Sequence, residues 1–118
     1  MTDRTPLLDA AVVAELRESV GGDDAFVREL AEAYLAEGLT HVEAMLAAAR
    51  ADDAAAIVRP AHTLKSSSAA LGALRLADRC REIEHAGREG RVASLADVEA
   101  VRSMWDMTVE AMKGAGLA

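Results

Sequence analysis

Apolar residues recur at steps of three and four along most of the chain, and nowhere do they alternate in the two-residue rhythm of a strand. Leu8, Val12, Leu16 and Val20 share one face until Gly21-Gly22 breaks the pattern. Thr5-Pro6 ahead of them reads as a helix start, because Thr can cap and Pro is tolerated in a first turn. A longer run follows, with Val27, Leu30, Ala31, Tyr34, Leu35, Leu39, Val42, Met45 and Leu46 as its apolar positions. Asp23 or Asp24 can cap it, and Gly38 is the one residue that weakens it. Asp52-Asp53 supply the next turn and cap. The third helix then contains Pro60, which removes the hydrogen bond to the Ala56 carbonyl and is expected to kink the helix. Gly72 separates it from a fourth helix, after which Gly87 and Gly90 bracket a short turn. Ser94 with Asp97 three residues later resembles a capping box for a last helix, whose inward set is Leu95, Val98, Val101, Trp105, Val109 and Met112. The predicted helices are therefore 6–20, 24–50, 53–71, 74–86 and 95–113.

Amphipathic helices joined by short connections predict an all-α fold. The expected architecture is an antiparallel up-and-down four-helix bundle with an additional N-terminal helix packed across it. The 118 residues fit one domain spanning 1–118. Much of the apolar content is alanine, so the core is modest, and three aromatic residues cannot form a base-stacking platform. The net charge of -7 argues against nucleic acid as partner. The single cysteine, Cys80, excludes an internal disulfide and reads as a small core residue. No secretory signal and no long uninterrupted apolar stretch is present, so no membrane association and a cytoplasmic location are expected. The start at Met1 favours a stand-alone protein. No apolar seam long enough for a dimer is visible, so a monomer is expected.

The chemistry concentrates in Ala61-His62-Thr63-Leu64-Lys65-Ser66-Ser67-Ser68. At about 100° per residue, Ile57, Ala61, Leu64, Ser68 and Leu71 cluster on the core side, and His62 points roughly 140° away from them. His62 is therefore expected at the surface. Along its strip lie Val58 and Arg59 before it and Ser66 and Ala69 after it, small enough at the later positions to let a large partner approach. Lys65, three residues on, is within helical-neighbour reach of an anion carried by the imidazole. An imidazole is largely neutral near neutral pH and keeps one nitrogen free as a nucleophile. Phosphoryl transfer needs mainly positioning and charge neutralisation. The chain therefore needs no cofactor of its own, and magnesium with its acidic pocket is expected in a partner. Neither type of Gly-rich phosphate loop is present, consistent with a carrier that lacks a nucleotide site.

The segment from His62 to Ser68, followed by Leu71-Gly72-Ala73 and then Leu76, Cys80, Ile83 and Glu84, resembles histidine-containing phosphotransfer (HPt) domains of the stand-alone bacterial type. The resemblance implies phosphorylation of His62 on Nε2 and a steadying role for Lys65 toward the phosphoryl charge. It also implies that Glu84 on the neighbouring helix bonds the other ring nitrogen and fixes the reactive tautomer. The implied partners are response-regulator receiver domains or a hybrid histidine kinase, with Val58, Arg59, Ser66 and Ala69 at the docking surface. One departure stands out: such domains usually have glycine after the lysine, where this chain has Ser66.

Other readings of the same residues are weaker. A lone outward histidine is ordinarily a surface residue, and here the weight comes from Lys65, the small neighbours and the long motif. The alternative function is a bundle that binds a receiver or kinase without carrying phosphate, against which the intact His62-Lys65 pair speaks. Ser66, Ser67 and Ser68 lack a placed base, so none reads as a nucleophile. Glu82 and His85 form one E-x-x-H pair, whereas a di-iron bundle needs two such pairs and further carboxylates. No metal site is expected there or at His41.

Overall fold

The computed structural model describes residues 6–117. Five helices account for most of them: α1 (Ala10–Ser19), α2 (Asp24–Arg50), α3 (Ala54–Ala70), α4 (Leu74–Arg88) and α5 (Leu95–Gly114), with no strand among the described residues. At a rise of 1.5 Å per residue α2 alone is about 40 Å long, close to the 43 Å long axis of the molecule. α2 packs on α3, α3 on α4, α4 on α5, and α5 returns to α2, which closes an up-and-down four-helix bundle. α1 packs on α2 at the end where α3 turns into α4.

Caps set where the helices begin. The Asp9, Asp23, Asp53 and Ser94 side chains accept from backbone amides of the first turns of α1, α2, α3 and α5, satisfying donors that have no intrahelical partner. Asp9 moves the start of the first helix from 6 to Ala10. Its backbone amide also donates to the Gly72 carbonyl at 2.8 Å, tying α1 to the α3–α4 turn. Thr5, the expected cap, lies outside the described residues, and Pro6 precedes the helix. The ends share one device: an amide two residues past the cap reaches back to a carbonyl, as from Ala73 to Ser68 and from Leu117 to Met112. Gly72 supplies the left-handed residue in the first of these (φ 85°), where a Cβ would also lie 3.0 Å from the Asp9 carbonyl oxygen. Asp52 holds that conformation without being glycine (φ 54°).

The core joins Ile57, Ala61 and Leu64 of α3 to Leu76, Cys80 and Ile83 of α4, Val42 and Met45 of α2, and Val98, Val101, Trp105 and Met112 of α5. Several apolar positions lie differently from the pattern. Leu30 and Leu95 are exposed, and Val109 is only partly buried. Thr108 is buried in α5 because its hydroxyl donates to the Met104 carbonyl at 2.8 Å. In α1 the buried residue is Val13, with Leu16 and the flanking Leu8 and Val20 only partly covered, since a helix lying across a bundle end buries a narrow stripe. α3 runs as one helix through Pro60, which is itself buried.

Two glycines act through packing. Gly38 faces Trp105, whose ring would stand 2.2 Å from a Cβ there. Gly87 is buried within α4, which continues to Arg88 rather than ending at 86. A Cβ on it would meet Ile57 and Val58 at 2.9 Å. The absence of a side chain thus lets α3 and α4 approach closely beside the residues described next.

Candidate functional site

α3 and α4 bring His62, Lys65, Glu84 and Arg88 together. His62 lies on the outer side of α3, its side chain 52% exposed, as its angular position relative to Ile57, Leu64 and Ser68 requires. Glu84 lies one turn beyond Cys80 on α4, and its side chain is 7% exposed. Its Oε2 is 3.0 Å from His62 Nδ1. The same oxygen accepts from Arg88 Nε at 2.8 Å, with a second guanidinium nitrogen at 2.7 Å. The other oxygen, Oε1, is 2.6 Å from Lys65 Nζ, an ion pair without aligned hydrogen-bond geometry.

These contacts settle the charge of Glu84. Burial pushes its carboxyl up, but Lys65, Arg88 and His62 outweigh that and hold it at about 2. An ionised carboxylate only accepts, so the hydrogen between Oε2 and Nδ1 belongs to the ring. In neutral His62 the Nε2 lone pair is then the free one. One carboxylate also faces two permanent cations, which leaves a net positive charge around the imidazole. Such an arrangement can receive an anion.

The predicted docking residues fall into two groups. Arg59 and Ser66 are exposed. Val58 and Ala69 are half-buried, Val58 because it leans toward Gly87 in the α3–α4 seam. Ser67 bonds back to the Thr63 carbonyl at 3.0 Å, and Ser68 is buried against the Tyr34 hydroxyl at 2.8 Å, so both are occupied structurally. Burial pushes the Cys80 thiol up to about 12, with the nearby Glu84 charge adding to the effect, and keeps it an un-ionised core residue. His85 points to solvent and pairs with Glu89 at 3.3 Å, away from the cluster. Arg88 was not among the expected site residues. Its four-residue spacing from Glu84, the ordinary helical ion-pair spacing, is the signal that marks it.

A helical bundle that presents a tethered, outward-facing histidine within positive charge is compatible with the phosphotransfer that the sequence resemblance implies. The family model for the Hpt domain matches residues 29–114, and the chain belongs to that family. Its work is accordingly histidine phosphotransfer in two-component signalling. Among solved structures it is similar to histidine-containing phosphotransfer protein B (HptB) from Pseudomonas aeruginosa PAO1, with 27% identity and a TM-score of 0.83 over 93% of this chain and 94% of that one. No curated protein matches the chain. Among the described residues no helix is long and apolar enough to cross a membrane.

Proposed function

We propose that His62 reversibly accepts and donates a phosphoryl group in exchange with the aspartate of response-regulator receiver domains. The observation that carries this reading is the contact of Glu84 with Nδ1 of a half-exposed ring, which in the neutral form of the ring leaves the Nε2 lone pair free. In the forward step the Nε2 lone pair attacks the phosphorus of a receiver's aspartyl phosphate. The N–P bond forms as the P–O bond to the aspartyl carboxyl breaks, and the aspartate leaves as a carboxylate. The Nδ1 proton stays on the ring, where Glu84 balances the positive charge that the ring gains. Lys65 leaves Glu84 Oε1 to face the phosphoryl oxygens. Any magnesium ion that assists belongs to the receiver, and this chain supplies no nucleotide chemistry of its own.

Docking uses the strip of Arg59, Ser66 and Ala69 around His62, with the edge of Val58. Exposed Leu30 extends that surface, beside an apolar groove formed with Leu16, Ala33 and Ala70. Ser66 places a hydroxymethyl one turn after His62, where it discriminates among receivers by how closely their backbones approach. The protein acts as a cytoplasmic monomer.

The test is transfer of labelled phosphate from a phosphorylated receiver to wild type and to His62→Gln. The variant is expected to take up no label. Labelling at the wild-type level would refute the assignment.

A further inference from the structure

The two oxygens of Glu84 are held unequally. Oε2, which holds the imidazole, is also gripped by two nitrogens of Arg88, whereas Oε1 has only the ion pair with Lys65. If Lys65 moves to a phosphoryl group on His62, Oε1 loses its partner. Without a further anchor the carboxylate is then free to rotate after the ammonium, and the ring loses its acceptor at the moment when it carries the most charge. We propose that Arg88 is a positioning residue that divides the carboxylate's labour: it pins Oε2 on His62 Nδ1 throughout the cycle, while Oε1 parks Lys65 until an anion arrives.

This extends the carrier reading of His62 and rests on it for the movement of Lys65. The pinning itself concerns the unphosphorylated protein. Arg88 follows Glu84 by one turn of the same helix, so its reach to Oε2 is set by α4 alone and does not change when a partner docks on α3. Two of its guanidinium nitrogens converge on the one oxygen, so turning Oε2 away from the ring would break two charged contacts, whereas the ammonium of Lys65 makes only one with Oε1. With Arg88 in place Glu84 also keeps a permanent counter-charge after Lys65 departs, and so remains an ionised acceptor.

The tautomer of His62 reports the pinning directly and can be read from imidazole nitrogen chemical shifts at mildly alkaline pH, with no phosphate present. Wild type is expected to show one Nδ1–H tautomer. Lys65→Met should keep it, because only Oε1 is released. Arg88→Met should lose most of the Nδ1–H population, and Arg88→Lys should restore part of it. The Arg88 side chain is largely exposed, so these variants are expected to fold. An unchanged tautomer in Arg88→Met, or its loss to the same extent in Lys65→Met, would overturn the proposal. In the transfer assay Arg88→Met should be slowed about tenfold, equivalent to one charged hydrogen bond. If His62→Gln were still labelled, the carrier reading would fail while the tautomer comparison still decided the role of Arg88.

Discussion

α3 makes two polar contacts of opposite character, one on each side of Leu64, the first buried and the second only partly so. Toward α2, the Ser68 hydroxyl meets the Tyr34 hydroxyl at 2.8 Å, with both side chains buried and neutral. Trp105 tilts against the Tyr34 ring at 5.1 Å and covers Gly38, which closes this layer. Toward α4, Glu84 is equally buried, but it is charged, carries more cationic partners than it can neutralise and opens to solvent through His62. The closed pair has nothing left to bind. The open cluster keeps spare positive charge and a free nitrogen. Burial of a polar group therefore does not distinguish the two contacts; unequal charge and an exposed partner do.

The comparison can be broken at several points. The largest effect is expected for Glu84→Ala, which removes the ring's acceptor and slows transfer on the order of tenfold to a hundredfold, measured by label transfer. The same change alters the acid limb of stability. Glu84 sits near 2 in the folded protein, below the ordinary 4.5, so its contribution is complete above about pH 4.5 and is lost as pH falls toward 2. The unfolded chain binds more protons across that window, and the loss is on the order of 3 kcal/mol. Urea titrations should show it in wild type and not in the variant.

The closed layer responds in the opposite sense. Burial pushes Tyr34 above its ordinary 10.0, and its hydrogen bond to Ser68 offsets this only in part. The folded state thus holds the proton longer than the unfolded one, and stability should fall as pH rises above about 10. Gly38→Ala puts a methyl into the Trp105 ring and should cost about 1–3 kcal/mol in denaturant melts, with transfer by the folded fraction unchanged. Tyr34→Phe should cost about 1–2 kcal/mol by leaving the Ser68 hydroxyl alone in the core. Adding Ser68→Ala should recover part of that, again without effect on transfer. A drop in transfer in either variant would show that the two sides of α3 are coupled after all.

Much of the fold was legible because its signals are local. Gly21-Gly22, Asp53, Gly72 and Ser94 punctuate the chain, and the apolar spacing of α3 places Ile57, Ala61, Leu64 and Ser68 on the inner side, where the structure has them. The errors fall where distant contacts decide. Asp9 begins α1 after Pro6 and binds Gly72. Gly87 does not break a helix but seats one against another. Leu30 and Leu95 follow the apolar period yet face solvent, since periodicity does not show how wide a stripe the neighbours cover.

The site divides along the same line. The sequence by itself determined that His62 faces outward and that Lys65 follows it by one turn, because helix geometry fixes both, whereas the placing of Arg88 one turn from Glu84 needed α4 to run on through Gly87. Only the tertiary structure decided that Glu84 reaches His62 across the α3–α4 seam, and which of its oxygens holds which cation. That depends on the closeness of two helices and the rotation of each about its axis. Packing around Gly87, Ile57 and Val58 sets both, and no local pattern encodes them.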